Sequence, residues 1–546
     1  MSRSDTPHRV SYDAAFFLKT VIPFALVWTF APLLFLPNYW LDIIEQLFVG
    51  KEFVLSTGKH PALTAIILYL FRTMLGNAPF APFLLSQLMM GTVLWTVWRL
   101  GRLFLDPPRA AAALLVSLNY YWMNFGSADY NNNITLIFGW GLSFYFGLEA
   151  LRTNRWRDWI GLGLAVGIGL HLKYTEIFFP VSLILFLAWN KERRRFLCSG
   201  RFWLAAAIGF LIFLPQTLWI LKGNIRAIQY ALTLEGDENP TIFHLLCPLI
   251  FAFIQLTFWV LPAIFLLPLF WGSVKEKRAV RTQAAAGGLP GALSTGSAAP
   301  PVGRFETERN AVFQKGALSI EESYLLTMTF LPFLMQVAYA AISAHFVRLS
   351  LGCHLWVYVP IILLRFFPSR KNDSAVRKTI HWNLIVAACV LLTSAAVALI
   401  YPLATEKCSR YLFPGKKLAA RVEKEWHTRY AVPIPWATGQ WWLAGNLSVY
   451  GNDHPRVHYS RGPDLFCGEW QATTWGTYDD INRQGGVLLW EIRDGEPEKP
   501  PRLRELFPDA VRAEDFSLNG LLTAKGIEMR FGMAVVPPPD ESPGGR

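Results

Sequence analysis

The feature that most constrains this chain is a series of long apolar segments with almost no charge. A helix needs about 20 such residues to cross the hydrocarbon core of a bilayer. Over all 546 residues, 53% are hydrophobic and only 16% are charged, whereas a soluble domain has about a quarter charged residues. The sequence therefore predicts a mostly α-helical, polytopic membrane protein. The clearest apolar segments are Val21–Leu36, Leu204–Leu221, Leu245–Phe270 and Tyr324–Ala344.

The charges between these segments predict how the chain crosses the membrane. The formal net charge is +12, but Lys and Arg form short runs between apolar segments, which is typical of cytoplasmic loops and not of a nucleic-acid-binding surface. The runs alternate with loops poor in Lys and Arg, so we expect about eleven spanning helices, with the N-terminus inside and the C-terminus outside. Pro61–Phe71 is too short to cross and is predicted to be an interfacial helix. The first apolar segment lacks a cleavage site and is expected to remain as a helix.

Composition divides the chain into a predicted membrane domain, residues 1–404, and a predicted extracytoplasmic α/β domain, residues 405–536. Thr282–Gly303 is rich in Ala, Gly, Pro and Ser, which predicts a disordered cytoplasmic loop. Residues 537–546 are predicted to be a disordered tail. Short apolar runs bounded by Gly, Asn and Asp predict strands in the C-terminal domain. These runs are Trp441–Leu443, Leu447–Tyr450 and Val487–Ile492.

The six cysteines have no metal-ligand spacing. Cys198, Cys247, Cys353 and Cys389 lie in or beside apolar segments and are interpreted as small packing residues. Two others, Cys408 and Cys467, lie in the polar C-terminal region and can form a disulfide if that region is outside the cytoplasm.

The loop after the first apolar segment contains the strongest candidates for chemistry. It combines two carboxylates, Asp42 and Glu45, with Lys59 and His60. Ionisable residues where an apolar protein leaves the bilayer are functional candidates, since neutral residues would cost less there. Carboxylates can deprotonate a hydroxyl or hold a divalent cation, and Lys or His can neutralise a phosphate leaving group.

Other loops predicted on the same face can add to this site. The candidates for substrate binding are Asp129, Asn132, Lys173 and Tyr174, and those for phosphate binding are His345 and Arg348. Charged residues at helix ends also cap helices or extend towards lipid headgroups. That interpretation is favoured for Lys51, Glu52, Arg72 and the acidic run Glu235–Glu238. For Asn131–Asn133, a sugar-binding run and a simple polar turn remain equally open.

Three stretches of this sequence resemble bacterial family-39 glycosyltransferases. They are Asp42–Glu45 with Gly50–Phe53, Lys59–Leu63, and Ala444–Gly451, and Lys173–Thr175 and Tyr339–His354 add support. This group is related to protein O-mannosyltransferases, to the lipid A aminoarabinose transferase and to lipopolysaccharide galacturonosyltransferases.

The resemblance implies a GT-C fold and a polyprenyl-phosphate-linked sugar as donor. It implies an inverting transfer, without a metal or with only weak metal assistance, so a divalent cation remains an open cofactor. Asp42 corresponds to the proposed base and Lys59 to the residue that contacts the donor phosphate. The acids of many relatives are adjacent, whereas Asp42 and Glu45 are three apart, which still places both on one helix face. Asn132 stands where relatives often have an acid; either Asp129 replaces that acid or its role is lost.

The resulting hypothesis is a bacterial inner-membrane glycosyltransferase that acts on the periplasmic face. It would transfer a hexosyl or pentosyl group to lipid A, lipopolysaccharide core, another lipid or a protein. The alternatives are a transporter or flippase of lipid-linked sugars, an oligosaccharide ligase, and a non-catalytic scaffold. A transporter is expected to show internal repeats and ionisable residues at mid-helix, and neither pattern is clear here.

Overall fold

The computed structural model describes most of the chain. The described residues are 12–224, 242–267, 269, 318–343, 349–367, 373–404, 410–458, 474–493, 500, 502–521 and 528–539. The helices of the N-terminal part are α1 (Ala14–Phe30), α2 (Pro32–Phe35), α3 (Leu41–Gly50), α4 (Leu63–Met74), α5 (Ala81–Phe104), α6 (Pro107–Leu118), α7 (Asn132–Thr153), α8 (Trp156–Leu172), α9 (Phe178–Trp189), α10 (Lys191–Leu197), α11 (Gly200–Leu221), α12 (Phe243–Phe265), α13 (Ile320–Ser343), α14 (Val359–Phe366) and α15 (Asp373–Ala404).

The long helices confirm that the chain is a multi-pass membrane protein. Among the described residues, seven helices are long and apolar enough to cross a bilayer. Several present large apolar side chains outward, such as Leu18 and Ile22 on α1 and Phe210 and Leu211 on α11, which suits contact with lipid and not with water. The total of about eleven spanning helices stays a prediction. The seven candidates are Ala14–Phe35, Ala81–Phe104, Asn132–Thr153, Gly200–Leu221, Phe243–Phe265, Ile320–Ser343 and Arg377–Ala398.

Helices α7 and α8 show how the chain returns to one end of the molecule. Asn154, in the left-handed conformation with φ 50°, ends α7, and α8 then runs back beside it. At the far end, the side-chain amide of Asn132 donates a hydrogen bond of 2.9 Å to the carbonyl of Leu172. The start of α7 and the end of α8 therefore lie together, and Lys173 follows directly.

Two shorter helices, α3 and α4, pack against each other beside that end. Helix α4 has 12 residues and is therefore about 18 Å long, which is shorter than the hydrocarbon core. Gly50 allows the close approach of the two helices, because a Cβ there would lie 2.2 Å from the carbonyl oxygen of Ala65.

The C-terminal part is a small mixed α/β domain, as predicted. Its elements are α16 (Gly415–His427), β1 (Trp436–Gly439), α17 (Trp441–Tyr450), β2 (Arg456–Val457), α18 (Tyr478–Gln484), β3 (Gly486–Ile492), α19 (Leu503–Leu506), β4 (Val511–Arg512), β5 (Phe516–Asn519) and β6 (Glu528–Val536). The strands form one sheet in the order β2-β1-β3-β6-β4, and β5 also pairs with β6. The pairs of β1 with β2 and with β3 are parallel, and those of β6 with β3, β4 and β5 are antiparallel.

One part of the strand prediction is wrong. Val487–Ile492 lies in β3 as expected, but Trp441–Leu443 and Leu447–Tyr450 belong to the single helix α17. Short apolar runs do not distinguish a strand from a buried helix. Leu443, Ala444 and Leu447 recur at helical spacing and are fully buried, so packing on both sides of α17 decides its conformation.

Some predictions concern residues outside the described part of the chain. They include the loop Thr282–Gly303, the cysteine pair Cys408 and Cys467, and the candidates His345 and Arg348. At the start of the predicted tail, Pro537 and Pro538 are buried. The rest of that tail, 540–546, is also outside the description.

Candidate functional site

The two acids of the first loop lie on one face of α3. Asp42 is in the first turn of this helix and is half-buried, and Glu45 lies one turn later and is buried. Trp40 precedes the helix and provides no side-chain cap. The spacing of three residues therefore places both carboxylates beside each other, as the sequence predicts.

A tight turn brings Lys59 to these acids. The hydroxyl of Thr57 accepts hydrogen bonds of 3.1 Å from the backbone N–H groups of both Lys59 and His60. Ser56 and Pro61 form an antiparallel bridge that closes the turn. Since the backbone of His60 is fixed in this way, the turn presents Lys59 in one orientation; the His60 side chain is half-buried beside it.

Lys59 forms a bidentate ion pair with Glu45. Its Nζ donates to the two carboxylate oxygens at 2.9 and 3.0 Å, and the side chains are only 12% and 8% exposed. Its ammonium also lies 5.8 Å from the centre of the Trp441 ring. Each of these two buried charges stabilises the other, because an unpaired charge would lose its hydration without compensation.

Asp42 differs from Glu45 in its contacts. Its carboxylate makes no hydrogen bond or ion pair with any residue that the structure describes. Burial, and then the charge of Glu45, raise the pKa of Asp42 to about 6, although Lys59, Arg410 and Lys173 act in the opposite direction. Asp42 is therefore an ionised, available acceptor of a proton at neutral pH.

Asp129 lies against the first turn of α3. Burial and the neighbouring Asp42 raise the pKa of Asp129 well above its usual range, and the Ile43 backbone N–H acts in the opposite direction. One carboxyl oxygen accepts a hydrogen bond of 3.4 Å from Asn131, and the other is buried without a hydrogen-bond partner. The structure thus brings a third acid to the site, a buried neighbour of Asp42 whose pKa is raised.

Within the described residues, these acids do not form a group of three side chains that could hold a metal ion. The ion pair of Glu45 with Lys59 and the raised pKa of Asp129 both work against a shared cation, because the cation would compete with the Lys59 ammonium and with a proton on Asp129.

The remaining candidates line the same end of the helices. Lys173 is buried, and its ammonium donates a hydrogen bond of 2.6 Å to the side-chain oxygen of Asn133. Asn132 uses its amide to join α3, α4 and α8, through Gln46, Thr64 and the Leu172 carbonyl. That set of contacts makes Asn132 a positioning residue.

Tyr174 is occupied in a similar way. Its hydroxyl lies 3.2 Å from the Ser56 hydroxyl and accepts a hydrogen bond of 2.7 Å from Gln216 on α11. It therefore connects the Lys59 turn to the membrane helices and holds that turn in place.

The C-terminal domain covers the first loop. Gly445 on α17 lies against α3, where a Cβ would be 2.8 Å from Ile44. Glu52 and Arg456 form an ion pair of 2.6 Å, and the ammonium of Lys51 donates to the carbonyl of His454. These contacts give Lys51 and Glu52 the structural role that the sequence favoured, although as docking contacts between domains.

Two residues of the site could not be found from local sequence. Arg410, whose charge lowers the pKa of Asp42, lies 368 residues further along the chain. Trp441, whose ring faces the Lys59 ammonium, lies in the C-terminal domain. No motif joins them to the first loop, and no local signal in the sequence places either residue near it.

Comparisons with known proteins find similar sequences over part of this chain. Residues 59–219 match the family model described as dolichyl-phosphate-mannose-protein mannosyltransferase. The lipopolysaccharide core galacturonosyltransferase RgtA of Rhizobium johnstonii is 25% identical over 187 residues, which cover 34% of this chain and 37% of that protein. RgtB of the same organism is 24% identical over 206 residues, which cover 36% of this chain and 41% of that protein. The matches thus span about two fifths of the length of these relatives.

The fold extends the likeness to nearly the whole chain. The crystal structure of ArnT from Cupriavidus metallidurans bound to undecaprenyl phosphate matches with a TM-score of 0.51 and 10% identity, over 95% of this chain and 98% of ArnT. This chain therefore has the same type of fold as ArnT, which agrees with the GT-C fold expected from the sequence. The partial sequence matches agree with the resemblance to the family-39 glycosyltransferases.

Proposed function

We propose that this protein is a membrane glycosyltransferase that moves a hexosyl or pentosyl group from a polyprenyl-phosphate carrier to an acceptor of the cell envelope. The observation that carries the proposal is Asp42, a carboxylate without a hydrogen bond to the described residues, among Lys59, Lys173 and Arg410. A base beside several cations suits the removal of an acceptor proton next to a phosphate leaving group.

The proposed reaction is one displacement at the anomeric carbon. Asp42 takes the proton of the acceptor hydroxyl, and the oxygen forms the new bond to that carbon. The bond from the carbon to the phosphate oxygen breaks, and its electron pair leaves with the phosphate. The positive charge of Lys59 stabilises the leaving phosphate. Such a step inverts the anomeric configuration.

The relatives support the class of substrate. RgtA and RgtB are described as acting on lipopolysaccharide core, and the ArnT structure holds undecaprenyl phosphate. For this chain we propose a lipopolysaccharide or lipid A acceptor and a lipid-linked donor. We place the site and the C-terminal domain on the periplasmic side of the bacterial inner membrane, as the alternation of basic loops along the chain predicts.

Mass spectrometry of lipopolysaccharide tests the proposal directly. Cells that carry the wild-type gene, the Asp42→Asn variant or a deletion are compared at matched protein levels. We expect a sugar-sized mass in the wild type only. If the wild type and the deletion strain give identical envelope glycans, the proposed activity is wrong, and transport becomes the better hypothesis. If Asp42→Asn retains full modification, only the assignment of the base is wrong.

A further inference from the structure

Contacts between distant parts of the chain hold the Arg410 backbone near the start of α3, the helix that carries Asp42. Arg410 begins a 3₁₀ turn, Arg410–Leu412, that follows the last membrane helix. Its carbonyl accepts a hydrogen bond of 3.2 Å from the side chain of Asn38, and the next carbonyl, of Tyr411, accepts one of 3.0 Å from the Asn38 backbone N–H. Asn38 itself is buried, only 2% exposed.

Further contacts fix the same turn from the other side. The Tyr411 ring packs on Trp40, with ring centroids 5.3 Å apart. Leu521 of the C-terminal domain donates a backbone hydrogen bond of 2.9 Å to the Leu412 carbonyl. The Arg410 turn is thus fixed both by the first loop and by the C-terminal domain.

The side chain of Arg410 differs from those of Lys59 and Lys173 in its hydrogen bonds and ion pairs. Lys59 is paired with both oxygens of Glu45, and Lys173 donates to Asn133. The guanidinium of Arg410 is exposed and makes no hydrogen bond or ion pair with the residues that the structure describes, yet its charge acts on Asp42. A fixed cation near a carboxylate that it does not bind leaves both groups available to a substrate.

We propose that Arg410 is an anion-binding residue of the active site and that its ligand is a phosphate group. This inference rests on the proposed function and adds a contribution of the C-terminal domain to substrate binding. A guanidinium presents a planar pair of N–H donors that matches two phosphate oxygens. The phosphate belongs either to the polyprenyl donor or to a phosphorylated acceptor, and the two sources share this chemistry.

Binding measurements on the purified full-length protein in detergent test the inference without relying on turnover. The variants are Arg410→Ala, Arg410→Lys and the control Lys416→Ala, which removes another exposed cation, on α16, six residues away. The probes are undecaprenyl phosphate, and lipid A with or without prior removal of its phosphates. Equal thermal unfolding midpoints of the three variants show that each is folded.

If the donor phosphate is the ligand, Arg410→Ala weakens the binding of undecaprenyl phosphate roughly tenfold to a hundredfold, as loss of a charged hydrogen-bond pair does. Arg410→Lys retains part of the affinity, and Lys416→Ala equals the wild type. If the acceptor phosphate is the ligand, the undecaprenyl phosphate affinity is unchanged, and Arg410→Ala instead abolishes the preference for phosphorylated over dephosphorylated lipid A.

The inference is overturned if Arg410→Ala behaves as Lys416→Ala does with both probes, or if the wild type binds neither probe. The first result leaves the proposed function intact when the envelope glycans still depend on the gene. A failure of the proposed function appears separately, as unchanged glycans in the deletion strain.

Discussion

The two ends of the membrane helices use the same kinds of charged residue in different ways. At one end, the ion pairs join residues that are three apart in sequence. Asp106 caps α6 and pairs with Arg109 at 2.7 Å, and Glu149 pairs with Arg152 at 2.8 Å. At the other end, Asp42 is near Lys59, Lys173 and Arg410, which come from three distant parts of the chain.

The difference distinguishes charges that serve the fold from those that are available for chemistry. A capping pair within one helix turn is satisfied as soon as the helix forms, and it contributes about 1 kcal/mol or less. The Asp42 end gathers buried charges at the cost of desolvation, and leaves one carboxylate and one guanidinium unpaired among the described residues. Such an arrangement is poor for stability and suits substrate binding.

The largest expected effect is a fall in kcat when the proposed base, Asp42, is replaced. Replacement of the helix cap Asp106, at the other end of the helices, should have little effect on kcat. We expect Asp42→Asn to lower kcat by about 10²- to 10⁴-fold, the usual contribution of general base catalysis. Asp106→Asn should leave kcat within about threefold, since Asn is also a good N-cap. Initial rates with a lipid-linked donor measure both. A comparable loss in the two variants would remove the proposed distinction between the ends.

A mutation at the contact between α17 and α3 tests whether packing of the C-terminal domain on the first loop stabilises the protein. Gly445→Ala places a Cβ 2.8 Å from Ile44 and should destabilise the protein by about 1–3 kcal/mol. Gly91→Ala on α5 is the matched control, because its nearest atom is 3.7 Å away, and we expect it to be neutral or slightly stabilising. Thermal unfolding in detergent compares the two. Equal midpoints would mean that α17 can move away from α3 without cost.

The pH dependence of the rate gives a finer test of the charges around Asp42. Because the base form is required and the pKa of Asp42 is about 6, kcat/KM should rise with pH through that value and level off above about pH 7. Loss of the positive charge in Lys59→Met should move this rise to higher pH. Loss of the negative charge in Glu45→Gln should move it to lower pH.

Values of kcat/KM measured between pH 5 and 8.5 for the wild type and the two variants test these predicted shifts. A shift in the same direction for both variants would show that packing changes, and not the two charges, control Asp42.

The smallest effect is expected for the docking ion pair of Glu52 and Arg456. The Arg456 side chain is 43% exposed, so the pair should contribute under about 1 kcal/mol. A double-mutant cycle with Glu52→Gln and Arg456→Gln measures the coupling from unfolding midpoints, and the rate should change less than about twofold. A loss of activity as large as that of Asp42→Asn would place this pair in the active site.

Some of the site could be predicted from sequence because its parts are close in the chain. Asp42 and Glu45 share a helix face by their spacing, and Lys59 follows in the same loop, so the structure places them together. Arg410 and Trp441 could not be predicted, because nothing local indicates which distant segment lies over that loop. The conformation of Trp441–Tyr450 was predicted wrongly for a related reason: its two apolar runs are helical only in the packed domain.

The sequence by itself determined that the chain crosses a membrane several times, because exposure of apolar segments of spanning length to water is unfavourable. It also determined the local geometry of the first-loop acids, which depends on helix periodicity alone. The tertiary structure decided that Tyr174 holds the Lys59 turn in place and that Asn132 joins α3, α4 and α8. It also decided that burial raises the pKa of Asp129 and that the Arg410 turn lies near the start of α3. These depend on desolvation and on contacts between residues far apart in sequence, which arise only when the helices and the C-terminal domain pack together.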